Sequence, residues 1–367
     1  MKLLHFADLH LDTPFAWAGR DLARQRRRAL RATLTRICAL ASELGADAIT
    51  CGGDLYEQER FTPDTASFVR HTFAELHPMR VFIAPGNHDW FGPKSLYHEV
   101  DWTPNVQVFT EPELKPITLE DGLTLWGAAH CAPANTPDFL RGFATERTGV
   151  NIALFHGSEQ GELPFQEEGK TPHAPFRASE IRTAELQHVL LGHFHTPRDA
   201  PDYTYPGNPD PLTFGEKGER AAVLVTLDES GSVTRERHKV AQSVVHDLTV
   251  DLSGIVHSTQ VPERVTAALA GLTGVVRVTL AGEVGSDVDV NPVDAAVDAA
   301  DLDAVVIRLG QLTVAYDFEA LAEERTVRGQ FVRKVREAAE LSETQRRRVL
   351  VTGLRALAGR ANELEVN

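Results

Sequence analysis

Side chains able to hold a cation or move a proton recur at the ends of apolar runs in this chain. The run Leu3-Leu4-His5-Phe6-Ala7 stops at Asp8, and His10 follows two residues later. "CGGDLY" places Asp54 behind a second run, and "PGNHD" places Asn87, His88 and Asp89 behind a third. "LFHG" ends another run in His156, and "LLGHFH" ends another with His193 and His195. Residues two apart on a strand face the same way, so Asp8 and His10 are expected to point together. Asn, His and Asp crowded behind a glycine turn are costly to bury without a task. Asp8, Asp54, Asn87, His10, His156, His193 and His195 form an oxygen and nitrogen ligand set without thiolate. Such a set suits divalent manganese, iron or zinc. It suffices for two ions with a shared carboxylate, and paired ions roughly 3.5–4 Å apart are the usual device for in-line displacement at phosphorus.

To bring these groups together, the runs must be strands whose carboxyl ends meet on one rim, where ligand sites of α/β sheets collect. Strands are expected over residues 2–6, 47–51, 80–84, 106–109, 123–126, 151–155 and 188–191. A helical pattern over 21–44, with Gly45 as its stop signal, separates the first two. Strands 221–227 and 232–240 flank "DESG", a hairpin turn. This alternation predicts layered α/β packing. After residue 245 the texture changes. Residues 262–272 read as a helix, 275–280 and 304–309 as strands, and everything from 318 onward as helical.

The length of 367 residues allows one large domain and a smaller one. A hydrophobic content of 42% and a charged content of 24% are ordinary for a soluble globular chain. No apolar run is long enough to span a membrane, and His5 and Asp8 interrupt any signal-peptide core. A cytoplasmic protein without membrane association is expected. Cys38, Cys51 and Cys131 are spaced neither as a disulfide framework nor as a metal knuckle, so reduced thiols are expected. The formal net charge of -15 argues against bulk electrostatic attraction to nucleic acid, but not against a local site where cations gather positive charge. His71, His77, His98, His173, His238, His246 and His257 lack strand-end context and read as surface or hydrogen-bonded residues. His5, His130 and His188 are ambiguous between these readings; for His5 a satisfied core histidine is favoured over a place behind the site.

The ordered set D-x-H, G-D, G-N-H-D, H-G, G-H-x-H resembles the calcineurin-like metallophosphoesterases, and within them the SbcD/YhaO-type DNA-repair exonucleases. "HFADLHLDTPF" is most similar to the YhaO-type branch; SbcD-type chains carry Gly where this sequence has Asp12. "YPGNPDPLTFGEKGERAAVLV", residues 205–225, is similar to the segment that closes the nuclease domain, and "TVRGQFVR" is similar to the same branch. The resemblance implies a layered αββα sandwich over residues 1–243, a small α/β capping domain over 244–317 and a helical partner-docking segment over 318–367. It implies that Asp8, His10, Asp54 and His195 hold one metal, while Asp54, Asn87, His156 and His193 hold the other, manganese foremost. His88 would sit over the phosphate and assist leaving-group departure, with Asp89 orienting its imidazole. The implied activity is metal-dependent DNA phosphodiester cleavage, exonucleolytic with endonucleolytic action as a second mode. The implied partners are DNA, an SMC/ABC-like coiled-coil ATPase and, as a further candidate, a second copy of the chain. The competing reading is a small-substrate phosphodiesterase or pyrophosphohydrolase of the same superfamily, acting on cyclic nucleotides or nucleotide diphosphates. A non-catalytic scaffold is disfavoured, because every ligand is present.

The 21–44 helix carries Arg20, Arg24, Arg26, Arg27, Arg28, Arg31 and Arg36, and Arg24, Arg27, Arg28 and Arg31 share one face. A solvated helix face is favoured there over a phosphate-backbone contact.

Overall fold

The computed structural model describes residues 1–145, 148–161, 172–216, 218–285, 288–292, 295 and 301–359. The chain divides into two compact units, Met1–Val245 and His246–Asn367.

The first unit runs β1 (Lys2–Phe6), α1 (Arg20–Glu43), β2 (Ala48–Cys51), α2 (Pro63–Ala74), β3 (Arg80–Ile83), α3 (Leu96–Glu99), β4 (Val106–Val108), β5 (Lys115–Glu120) and β6 (Leu123–Gly127). It continues through β7 (Val150–His156), α4 (Ala178–Thr183), β8 (His188–Gly192), β9 (Arg198–Asp199), β10 (Tyr203–Tyr205), β11 (Ala221–Leu227) and β12 (Val233–Lys239). Two six-stranded sheets result, ordered β12-β11-β1-β2-β3-β4 and β5-β6-β7-β8-β10-β9. β1 to β4 are mutually parallel, as are β6, β7, β8 and β10, while β11 runs antiparallel to β1.

Alternation divides each strand between two cores. Leu3, Phe82, Val223 and Val225 of the first sheet meet Leu125, Ile152, Leu154 and Leu190 of the second in one shared cluster. Leu4, Phe6, Ile49 and Ile83 turn the other way, onto Leu30, Leu34 and Ile37 of α1 and Val69 and Phe73 of α2. Phe155, Val189 and Leu191 cover the outer face of the second sheet with Ile181 of α4. The layers are therefore α, β, β, α, which is the expected sandwich.

α1 buries Ala23, Arg26, Leu30, Thr33, Leu34, Ile37 and Ala41 at three- and four-residue spacing. Arg26 belongs to that buried stripe: it reaches Asp210 Oδ1 (3.3 Å) and the carbonyl of Pro211, and lies over the Phe15 ring. Asp210 also accepts from Thr33 Oγ1 (2.9 Å) and from the Gln242 amide (2.7 Å). A buried carboxylate satisfied in this way clamps the 205–225 segment onto α1. On the outer face, Arg31 pairs with Asp64 and Arg36 with Glu43, while Arg20, Arg24 and Arg28 are exposed.

The second unit places β13 (Val245–Asp251), β14 (Gly274–Gly285) and β15 (Leu302–Ala315) in one sheet, with α5 (Gln260–Leu269) supplying Val261, Val265 and Leu269 to the core around Val276, Val278 and Leu280. β14 and β15 outrun the expected strands because a register shift between Leu280 and Gly282 absorbs an extra residue and lets pairing continue. α6 (Phe318–Glu323), α7 (Val327–Glu337) and α8 (Glu343–Leu357) share a separate cluster of Leu321, Val332, Leu350 and Leu354. Residues 360–367, expected as helix, lie outside the described residues. Among the described residues, no helix is long and apolar enough to cross a membrane.

Candidate metal centre

The loops after β1, β2, β3 and β8, with the last residue of β7, meet on one rim. Two backbone bonds zip the first two loops together: the Asp8 amide to Gly53 O and the His10 amide to Asp54 O, both 2.9 Å. β1 ends at Phe6, so the convergence of Asp8 and His10 is not strand alternation. Both lie in the left-handed region (φ 56° and 50°), as do Asp12 (68°), Asp54 (52°) and His193 (113°). Side chains rarely adopt this conformation, at a cost on the order of 1–3 kcal/mol each, and such residues gather where function fixes them. Glycine suits the Asp12 position for this reason; here the Asp12 carboxylate accepts from Thr65 Oγ1 at 2.6 Å. Gly86 is needed for contact, since a Cβ there would collide with Asp54 Oδ1.

The predicted ligands assemble on this rim. Asp8, His10 and His195 present ligand atoms within 4.8 Å of one another, and so do Asp8, Asp54 and His156. His156 Nε2 lies 3.3 Å from Asp54 Oδ2 and 3.1 Å from Asn87 Oδ1, while its Nδ1 donates to Gly52 O at 2.8 Å. His10 Nε2 is buried with no hydrogen-bond partner, 3.6 Å from Asp54 Oδ2. His193 falls outside these groups: its amide donates to both Asp8 oxygens (3.0 and 3.1 Å), and its ring lies edge-on to His156, centroids 5.2 Å apart. The His88 amide donates to Asp54 Oδ1 at 2.8 Å, and its ring stands 4.8 Å from that of His10.

Two buried aspartates at one spot repel each other and require positive charge. Burial pushes the Asp8 carboxyl up. For Asp54, burial is overcome by His156, His88 and His10, which hold it well below the usual carboxylate range. Burial would lower His156, but Asp54 and Asp8 carry it up to about 9. Burial keeps His193 well below its ordinary value, and therefore neutral with a free lone pair. Buried carboxylates, a neutral imidazole and an orphaned Nε2 are the surroundings a divalent cation fits.

Asp89 is not the partner of His88. Its carboxylate is fully buried and accepts from the amides of Asp54, Leu55 and Gly86 and from Tyr97 Oη, so it braces the loops beneath the site. The carboxylate facing His88 is Glu57, whose Oε2 takes His88 Nδ1 at 3.1 Å while Oε1 takes His10 Nδ1 at 2.8 Å. That hydrogen bond raises His88 to about 9. His10, Glu57 and His88 form a third converging group, but their ligand atoms already engage one another. Glu216 similarly accepts from His195 Nδ1 at 3.3 Å. Sequence reasoning missed both glutamates. Glu57 carried a weak signal, an acid three residues past Asp54 in a strand-end loop; Glu216 carried none near its histidine. His5, by contrast, is a satisfied core residue, bonded to Thr50 Oγ1 and Leu191 O.

A four-layer sandwich with a thiolate-free cluster at its strand ends has the layout of a metal-dependent phosphoesterase. Residues 1–197 match the family model "Calcineurin-like phosphoesterase", and the chain belongs to that family, whose members use a dinuclear metal centre. The chain is similar to the uncharacterized metallophosphoesterase YhaO of Bacillus subtilis (strain 168), at 23% identity over 267 residues, 69% of this chain and 64% of that protein. It is also similar to the DNA double-strand break repair protein Mre11 of Methanopyrus kandleri, at 26% identity over 267 residues, 64% of this chain and 56% of that protein. The match thus spans less than two thirds of either relative's length. The crystal structure of TT1561 of Thermus thermophilus aligns at a TM-score of 0.41 and 17% identity, covering 65% of this chain and 98% of that one.

Proposed function

We propose that the chain is a metal-dependent DNA phosphodiesterase, an exonuclease with endonuclease action as a second mode, working in DNA repair beside an SMC/ABC-like ATPase. The observation that carries this reading is the cluster of buried Asp8, His10, Asp54 and His156 with partly buried Asn87, His193 and His195, beneath a half-exposed His88. Asp8, His10, Asp54 and His195 would hold one ion, and Asp54, Asn87, His156 and His193 the other, with Asp54 between them. Two divalent ions, manganese foremost, supply when bound an activated water and positive charge against the phosphate.

The chain's own residues do the rest. His88 reaches out of the buried floor, 47% of its side chain exposed, where a polymer backbone can pass. Glu57 accepts its Nδ1–H, which leaves Nε2–H free to protonate the departing oxygen. Water forms a new bond to phosphorus as the P–O bond to the leaving group breaks; the leaving oxygen takes the His88 proton, His88 is left neutral, and the proton lost by the water passes to solvent. Similarity to a break-repair protein supports DNA as substrate over a small nucleotide. So does the 205–225 segment, which closes the first unit against α1.

The test is a manganese-dependence assay on end-labelled duplex DNA, single-stranded DNA and a cyclic nucleotide. Manganese-dependent shortening of DNA from an end is expected. Turnover of the cyclic nucleotide with both DNAs left intact would replace this reading with the small-substrate one.

A further inference from the structure

The two halves of the cluster are backed differently. In the Asp8–His10–His195 group, each imidazole gives its Nδ1 to a carboxylate: His10 to Glu57 Oε1 at 2.8 Å, and His195 to Glu216 Oε1 at 3.3 Å. In the Asp8–Asp54–His156 group, His156 gives its Nδ1 to a neutral acceptor, the Gly52 carbonyl, at 2.8 Å. A carboxylate behind a ligating imidazole fixes the tautomer that bares Nε2 and raises the ring's basicity, and losing it typically weakens metal binding about 10–100-fold.

We propose that Glu57 and Glu216 are positioning residues that make the Asp8–His10–His195 group the tighter of two cation positions. This rests on the two-cation reading above. Both glutamates are themselves held in place. Glu216 Oε2 accepts from Asn208 Nδ2 (2.8 Å) and from the Leu212 amide (3.0 Å), in the segment that Asp210 clamps to Arg26. Glu57 stands on the bridge between the loops after β1 and β2, where its amide donates to Leu11 O at 2.9 Å. Its second oxygen faces His88 Nδ1 at 3.1 Å, so one carboxylate serves a ligand of the tighter position and the proposed acid together. His10 Nε2, buried and without a partner, is the lone pair this arrangement leaves open. A glutamine at position 216 can offer its oxygen to His195 or to Asn208 and Leu212. It cannot serve both sides, because its other end only donates.

The experiment is calorimetric titration of the full chain with Mn²⁺ at fixed pH, for the wild type and for E57Q, E216Q and H156A. The wild type should bind two ions in two resolved steps, and H156A should keep the tight step and lose the weak one. E216Q and E57Q should each weaken the tight step by about 10–100-fold. Their loops are separate, so if one variant misfolds by circular dichroism the other still decides. If both glutamine variants keep the tight step, or weaken the step that H156A removes, the assignment of Glu57 and Glu216 is overturned and the two-cation reading stands. A wild type that takes up no manganese overturns both.

Discussion

The first unit buries histidines in two settings. Between the sheets, His5 engages both ring nitrogens with neutral groups, Thr50 Oγ1 at 3.0 Å and Leu191 O at 2.9 Å. His130, in the loop after β6, likewise engages both ring nitrogens with neutral groups, Thr136 Oγ1 and His156 O. Burial lowers them to about 4 and about 3, so both stay neutral. On the rim, His10 and His156 are also buried, yet each points Nε2 at Asp54 Oδ2, 3.6 and 3.3 Å away. Burial of an imidazole therefore says nothing about its task. Its unfilled side, and the charge facing that side, do. An orphaned nitrogen alone is not enough: His188 Nδ1 also lacks a partner but lies outside all the converging ligand groups.

The largest expected effect strikes the rim where its two halves join. Asp54→Ala removes the carboxylate that faces Nε2 of both His10 and His156 and accepts from the His88 amide. Manganese-dependent turnover should fall on the order of 10⁴-fold, roughly 5.4 kcal/mol of barrier, and elemental analysis should show lost metal. Next, His88→Ala should retain metal while kcat falls about 10²–10⁴-fold; unchanged turnover would remove His88 from the reaction. The interior should respond in the opposite sense. His5→Leu strands Thr50 Oγ1 and Leu191 O, and urea unfolding should show a loss of about 1–3 kcal/mol with manganese uptake unaltered.

Glu57→Gln sharpens the contrast further. Glu57 holds His88 up to about 9. An acid must be protonated to act, so rate is lost as pH rises through its pKa. Lowering that pKa should move the alkaline limb of the pH–kcat profile to lower pH. The smallest effect belongs to the arginine face of α1, where Arg28 is exposed and Arg27 lies 3.5 Å from Pro14 O. An Arg27→Ala/Arg28→Ala variant should flatten the slope of log K against log salt for DNA by about 1–2 if this face meets the backbone, and leave it unchanged if the face is only solvated.

The sandwich was legible because most of its strands are short apolar runs cut off by polar residues or glycine, and that cut-off also marked the ligands. Other elements had weaker patterns. β5 is a half-exposed edge strand containing Pro116, β9 and β10 have two and three residues, and β13 buries only Val250 among otherwise exposed and half-buried positions. The backing carboxylates were illegible for a different reason. Glu57 reaches His10 across 47 residues and Glu216 reaches His195 across 21, distances that only the folded loops close. Asp89 shows the converse error: the family resemblance implied a partner for His88, whereas three backbone amides and Tyr97 take its carboxylate.

The most direct test is anomalous diffraction from crystals of the wild-type chain soaked in manganese. Two peaks should appear on the rim, one beside Asp8, His10 and His195 and one beside Asn87 and His156, with Asp54 reaching both. A single peak elsewhere, or none at full soaking concentration, would contradict the account.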